Sequence, residues 1–264
     1  MLFAQISDTH VMEPGVPARG VMPTGAHLER VVAFLNHMRP RPGLAIVSGD
    51  IINDGGAEQA EEAARILKQL EMPFHIVPGN HDDREALRAA FAGEACPADG
   101  AFLHHAFRAG PLRFIALDSS EPGRPGGILC AQRLAWLRAR LAEDEETPTI
   151  LFLHHPPMNF GVLETDEDGF AGAGDLAETV REAGNVIAIL AGHIHLFAHG
   201  MLQGVPVITA PTASGMRLHL DLTMTEPSAF HPDDPALLLH KWTPEAGLVS
   251  HQAIVRENEP MHLF

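Results

Sequence analysis

Five short motifs in this chain carry side chains that bind metal ions or move protons. They are Asp8-Thr9-His10, Gly49-Asp50, Gly79-Asn80-His81-Asp82, His154-His155-Pro156 and Gly192-His193-Ile194-His195. Each follows an apolar run that reads as a β-strand. In an extended segment, residues i and i+2 point the same way, so Asp8 and His10 can grip one ion. Asn80 offers a neutral carbonyl oxygen. His81 follows directly and should face elsewhere, toward a substrate, with Asp82 expected to orient its imidazole and keep it protonated. Neighbouring strand residues face opposite sides, so only one histidine of the 154–155 pair is expected to bind metal.

Asp8, His10, Asp50, Asn80, His154, His193 and His195 make seven candidate ligands. One ion takes about four to six ligands, some of them water. Seven suit two ions that share one carboxylate. Such a pair, about 3.5–4 Å apart, clamps the oxygens of an in-line displacement at phosphorus. Mixed nitrogen and oxygen ligation without thiolate favours Mn, Fe, Co or Zn over Ca or Mg.

The elements needed to position these groups are legible. Strands are expected over Leu2–Ile6, Leu44–Ser48, Phe74–Val77, Thr149–Leu153 and Val186–Leu190. Helical spacing marks Glu29–Met38, Ala57–Leu70, Asp83–Phe91, Ala131–Leu141 and Leu176–Ala183. Phe102–Phe107 and Leu112–Leu117 read as neighbouring strands. Later strands are expected over Val205–Ile208, Arg217–Leu222, Leu237–Trp242 and Leu248–Val255, with 223–235 as a loop or protruding hairpin. Parallel βα units followed by antiparallel strands predict two sheets packed face to face with helices outside. Strand ends in such folds gather at one edge, where sites lie.

Composition narrows the partners. The chain has 264 residues, 45% of them hydrophobic, and a formal net charge of −16. That charge repels nucleic-acid polymers and anionic membranes, while bound metals can still reverse the sign locally for a small anion. No apolar run approaches the roughly 20 residues that span a bilayer, and the first residues lack a leader pattern. A cytoplasmic protein is the expectation. Cys96 and Cys130 cannot build a disulfide framework and are expected to be two buried thiols. Tyrosine is absent, so none can act as acid or base.

The motifs D-x-H, G-D, G-N-H-D, H-x-P and G-H-x-H, in this order over residues 1 to about 213, resemble the calcineurin-like metallophosphoesterases. The words ISDTH, IVSGD, PGNHDD, LHHPP and AGHIH are most similar to the bacterial branch with class III cyclic nucleotide phosphodiesterases and glycerophosphodiesterases. The resemblance implies an α/β fold, a four-layer αββα sandwich of two mixed β-sheets flanked by helices. It implies a first metal held by Asp8, His10, Asp50 and His195. A second would be held by Asp50, Asn80, His154 and His193, with Asp50 and a hydroxide bridging. His81 would contact the substrate phosphate and stabilise the transition state or protonate the leaving alcohol, and His155 would support the metal ligands from behind or be structural. The implied reaction is hydrolysis of a small phosphodiester, a glycerophosphodiester or a cyclic nucleotide, by a metal-bound hydroxide.

Two other readings compete with this one. A nuclease or phosphatase of the same fold is the main alternative. A binding scaffold that has lost catalysis is disfavoured, because all seven ligands and His81 are present. In that branch a further histidine often follows the last ligand by about twenty residues. Here the stretch Ala210–Met216 has none, and His219 is expected to be an ordinary strand residue. Asn80, His81 and Phe160 are the expected substrate contacts, with Phe160 as a flat apolar wall. Arg84 and Arg217 are the cations nearest the motifs. The acidic loop Asn159–Gly172 is read as a lid or a solvated surface loop. Residues 1–217 are expected to form the catalytic domain. Residues 218–264 are expected to complete the sandwich and to contribute to a homo-oligomer interface.

Overall fold

The computed structural model describes every residue except Ala92, Glu94, 224–227 and 258–264. The chain begins β1 (Leu2–Ile6), α1 (Thr24–His37), β2 (Ala45–Ser48), α2 (Ala57–Leu67), β3 (Phe74–Val77) and α3 (Arg84–Phe91). It continues β4 (His105–Ala109), β5 (Leu112–Ala116), β6 (Gly127–Ile128), α4 (Ala131–Ala142), β7 (Thr149–Phe152), α5 (Leu163–Asp166) and β8 (Phe170–Ala171). Then come α6 (Ala173–Ala183), β9 (Val186–Ala191), β10 (Ala198–Leu202), β11 (Val205–Thr209) and β12 (Met216–Leu218). The last described elements are β13 (Phe230–Pro232), β14 (Ala236–Thr243) and β15 (Gly247–Ile254).

Two mixed sheets dominate. The first has the order β15-β14-β1-β2-β3 and the second β10-β11-β9-β7-β5-β4. Strands β1, β2 and β3 are mutually parallel, as are β5, β7, β9 and β11. Strand β14 runs antiparallel to β1, with Leu2 opposite Lys241, so the C-terminal hairpin belongs to the first sheet.

Side-chain alternation sorts the core into layers. Phe3, Leu44, Ile46, Ile150, Phe152 and Leu190 meet between the sheets. Their neighbours Ala4, Ala45 and Val47 face α1 and α2. Leu151 and Ile189 face α4 and α6. A strand buried on both faces reads as a continuous apolar run, which is why β2, β7 and β9 are plain in the sequence. The result is a helix–sheet–sheet–helix stack.

Several boundaries differ from the sequence expectation. Helix α1 begins at Thr24 rather than Glu29, because its first turn is polar yet buried. Thr24 Oγ1 donates to the His10 carbonyl at 2.8 Å, and His27 Nδ1 lies 2.7 Å from the Ser214 carbonyl. Helix α2 stops at Leu67, and β4 starts at His105. Strand β10 was not expected; its sequence, AHGML, has no β-branched residue, and it lies at the sheet edge. Strand β12 is only Met216–Leu218 and pairs with β13, so part of 223–235 forms a hairpin; residues 224–227 lie outside the described set. Both cysteines are free, but only Cys96 is buried; Cys130 is half-buried.

Candidate metal centre

The site is built at the carboxyl ends of five strands, β1, β2 and β3 of the first sheet and β7 and β9 of the second. The segment after β1 brings Asp8 and His10, and that after β2 brings Asp50. The segment after β3 brings Asn80 and His81, β7 brings His154, and β9 brings His193 and His195. Five of these residues hold a left-handed backbone: Asp8 (φ 53°), His10 (44°), Asp50 (48°), His193 (72°) and His195 (54°). Each costs about 1 kcal/mol relative to ordinary backbone, and such conformations cluster at functional sites. They turn the side chains off the strand axis toward one point.

The motif glycines make room for this convergence. A Cβ on Gly79 would sit 2.1 Å from Asp50 Oδ1, and one on Gly192 would sit 2.0 Å from Ser7 Oγ. Only a residue without a side chain lets these loops pass so close.

Two clusters result. In the first, His195 Nε2 lies 3.4 Å from Asp8 Oδ1 and 3.1 Å from His10 Nε2. In the second, His154 Nε2 lies 3.2 Å from Asp50 Oδ2. His10 Nε2 stands 3.7 Å from that same oxygen, so Asp50 touches both clusters. The His193 ring centroid lies 5.1 Å from that of His154. The remaining oxygen, Asp50 Oδ1, accepts from the His81 amide at 3.0 Å, which leaves Oδ2 turned inward.

The donor set fits metal ions. His154 Nδ1 donates to the Ser48 carbonyl at 2.8 Å, and His195 Nδ1 to the Met216 carbonyl at 2.7 Å. Those bonds fix the tautomer with Nε2 as a lone pair, the arrangement that metal-ligating histidines use. His154 Nε2 and Asn80 Oδ1 are buried without a hydrogen-bond partner, and buried polar atoms without partners demand an explanation. Groups of ligand atoms lying within 4.8 Å of one another occur for Asp8–His10–His195 and for Asp8–Asp50–His154.

The electrostatics suit cation binding. Burial opposes ionisation of Asp50, but the facing His154, His10 and His81 outweigh it and hold the carboxylate well below its usual range. Burial pulls His193 down to about 3, and it also drives His10 low, so both rings are neutral lone-pair donors. Burial likewise opposes the charge on His154, yet Asp50 pushes it up to about 9. A cation beside Asp50 would take the place of that proton and leave Nε2 as the lone pair.

His81 faces a cleft of about 520 Å³ above both clusters, together with His10, Asp50, Asn80, His193 and His195. Its Nδ1 is held by the Asn53 carbonyl. Asp82 does not orient it, contrary to expectation: the Asp82 carboxylate accepts from the Ile51, Ile52 and Gly79 amides at 3.1, 2.8 and 2.8 Å. Successive residues in this tight turn point apart, so Asp82 stitches the loop after β3 to the loop after β2.

Phe160 is placed outside the cleft, packed against the apolar layer under α4 and α6, with its amide donating to Asp166 at 2.9 Å. His155 Nδ1 lies 2.9 Å from Ser119 Oγ, and its side chain is buried. His219 leaves the cleft to meet His231 at 2.8 Å. Arg84 and Arg217 are likewise diverted, into ion pairs with Asp118 and Asp233. Glu164 and Asp168, in the acidic loop read as a lid or a solvated surface loop, line the cleft, and so do Arg19 and Phe230, which the sequence reading missed. Their segments hold no motif, and only the folded topology brings them to the site.

The profile of the calcineurin-like phosphoesterases matches residues 1–197. A probable glycerophosphodiester phosphodiesterase, GpdQ, from Arcobacter nitrofigilis is 31% identical over 265 residues, covering 100% of this chain and 97% of the relative. The 3′,5′-cyclic adenosine monophosphate phosphodiesterase CpdA of Pseudomonas aeruginosa is 30% identical over 196 residues, covering 74% of this chain and 70% of that one. Among solved structures, a dimetal phosphatase from Danio rerio superposes with a TM-score of 0.62 at 17% identity, over 97% of this chain and 99% of the other.

Proposed function

The chain belongs to the calcineurin-like phosphoesterase family, and from that membership we propose that it hydrolyses small phosphodiesters at a dinuclear metal centre. The observation that carries this reading is Asp50 Oδ2, within 3.2 Å of His154 and 3.7 Å of His10, beneath a cleft that also holds His81. One ion is assigned to Asp8, His10, Asp50 and His195. The other would be held by Asp50, Asn80, His154 and His193, with Asp50 available to both. The nitrogen and oxygen donors suit Mn, Fe, Co or Zn. Bound ions supply Lewis acidity at phosphorus and lower the pKa of water to near 7.

The protein's own contribution is positional. The Asn53 carbonyl keeps a proton on His81 Nδ1, so Nε2 faces the cleft. As the bond from phosphorus to the leaving oxygen breaks, His81 Nε2 passes its proton to that oxygen and returns to the neutral ring. The attacking water forms the new bond to phosphorus and releases one proton to solvent, from which His81 Nε2 is reprotonated. General-acid help of this kind contributes about 10²–10⁴-fold.

Substrate choice follows the relatives, one named for glycerophosphodiesters and one for cyclic adenosine monophosphate. Within the described residues no helix is long and apolar enough to cross a membrane. The reading includes a cytoplasmic setting and a homo-oligomer, and the exposed Val249 and Ile254 on edge strand β15 support the latter. The decisive test reconstitutes the protein with Mn²⁺, Zn²⁺, Co²⁺ or Fe²⁺. Turnover is then compared on bis-(p-nitrophenyl) phosphate, glycerophosphoethanolamine, 2′,3′- and 3′,5′-cyclic nucleotides, and a monoester. Diester turnover that vanishes on chelation is expected; metal-independent or monoester-only turnover would refute the reading.

A further inference from the structure

The cleft is lopsided. One set of lining residues, Arg19, Met216, Leu218 and Phe230, is joined through Met216 to His195. Another set is Pro125, Glu164, Thr165 and Asp168, and Asp168 lies 4.0 Å from His193 Nε2. The two ester arms of a diester therefore meet different chemistry.

The first set forms a built wall. Phe230 on β13 pairs in register with Leu218 on β12. Phe230 packs on a small apolar cluster of Ala18, Met22 and Met216, which also seats the turn that carries Arg19. The Met216 carbonyl holds His195, so the wall is tied to the metal-binding residues. Arg19 is exposed, has a left-handed backbone (φ 51°), and has no ion-pair partner among the described residues. The other arginines near the motifs, Arg84 and Arg217, are spent in ion pairs. A half-exposed aromatic face beside a free guanidinium binds flat, electron-rich rings by stacking and cation–π attraction. A glycerol arm offers neither face nor ring. The cleft volume of about 520 Å³ also suits a ligand larger than two glycerol arms.

We propose that Phe230 and Arg19 form the subsite that selects a heterocyclic base, so the preferred substrate is a nucleoside-bearing phosphodiester. The inference rests on the reading of the metal centre given above and adds the arm that decides specificity. Phe230 and Arg19 are specificity residues and take no part in bond breaking.

The test measures KM and kcat for 3′,5′-cyclic AMP and for glycerophosphoethanolamine with the Mn²⁺-loaded full chain. Wild type is expected to favour the nucleotide in kcat/KM. Phe230→Ala should raise the ratio of nucleotide KM to glycerophosphodiester KM roughly 5- to 100-fold. Phe230→Trp should keep the wild-type ratio, and Arg19→Gln, on an exposed turn, should shift it in the same direction as Phe230→Ala. A wild type that prefers glycerophosphoethanolamine overturns the proposal, as do variants that leave the ratio fixed. If no diester is turned over with any metal, the hydrolase reading fails instead. Equilibrium binding of AMP against glycerol 3-phosphate then decides the subsite: AMP binding lost in Phe230→Ala supports it, and equal binding of both ligands by wild type overturns it.

Discussion

The imidazole of His81 is held by the backbone carbonyl of Asn53, while the adjacent Asp82 turns its carboxylate to three backbone amides. The two residues therefore have separate duties. His81→Ala should lower kcat about 10²–10⁴-fold and leave bound metal, read by elemental analysis, at the wild-type level. A variant with full kcat would remove His81 from the reaction.

Asp82→Ala should act on the loop. It strands the Ile51, Ile52 and Gly79 amides, and buried donors left without acceptors cost about 1–3 kcal/mol each. Urea unfolding should show a loss on the order of 3 kcal/mol, with weaker metal retention. The shape of the pH–rate profile should not change, because Asp82 does not contact the His81 ring. A displaced limb in that profile would return Asp82 to the acid–base machinery.

Asp50 and Asn80 differ in reach. Asp50 touches both clusters, whereas Asn80 Oδ1 is an orphan assigned to one ion. Asp50→Ala should empty both positions, from about two ions to well under one. Asn80→Ala should keep about one. Metal-to-protein ratios after gel filtration separate the outcomes; equal losses in both variants would contradict the shared carboxylate.

Gly192 and Gly174 make a matched pair. An added Cβ at Gly192 would meet Ser7 Oγ at 2.0 Å and Asp8 Oδ2 at 2.7 Å, while at Gly174 it meets nothing within 4 Å. Gly192→Ala should cost at least about 1–3 kcal/mol from overpacking and reduce metal binding. Gly174→Ala, in the first turn of α6, should be neutral or stabilise by roughly 0.4–1 kcal/mol. Thermal unfolding of the two variants reads the contrast directly.

Acid should weaken the fold through His240, away from the metal site. Burial lowers its pKa from 6.5 to about 3, and it is held between Gln5 Oε1 at 3.0 Å and Ser250 Oγ at 2.8 Å. The folded state keeps this ring neutral, whereas the unfolded chain takes up a proton below pH 6.5. Its contribution is therefore complete above pH 6.5 and is lost as pH falls toward about 3, by up to about 1.4 kcal/mol per pH unit. His240→Leu should show a shallower loss of urea midpoint between pH 7 and 5. An unchanged slope would assign the acid sensitivity elsewhere.

What the sequence made legible was repetition of type. The strands that deliver the motifs are continuous apolar runs, so their existence, order and common edge followed from pattern. The ligand types followed from the short words after them. Direction did not: Asp82 looked like a partner for His81 because it is close in sequence, yet the turn sends it to the backbone. Phe160 looked like a wall because it lies near His154-His155, yet packing against α4 and α6 removes it. Phe230 was hidden for the opposite reason, since it lies 35 residues beyond His195 and returns to the cleft only through the β12–β13 hairpin.

The position of β1 ties the candidate centre to a distant part of the chain. The strand that leads to Asp8 and His10 lies between β2 and β14, the latter more than 230 residues later in the sequence. A chain cut after His195 would hold every candidate ligand but could not give β1 its second neighbour. Removing β14 should therefore weaken the hold on Asp8 and His10 even though every candidate ligand is still present.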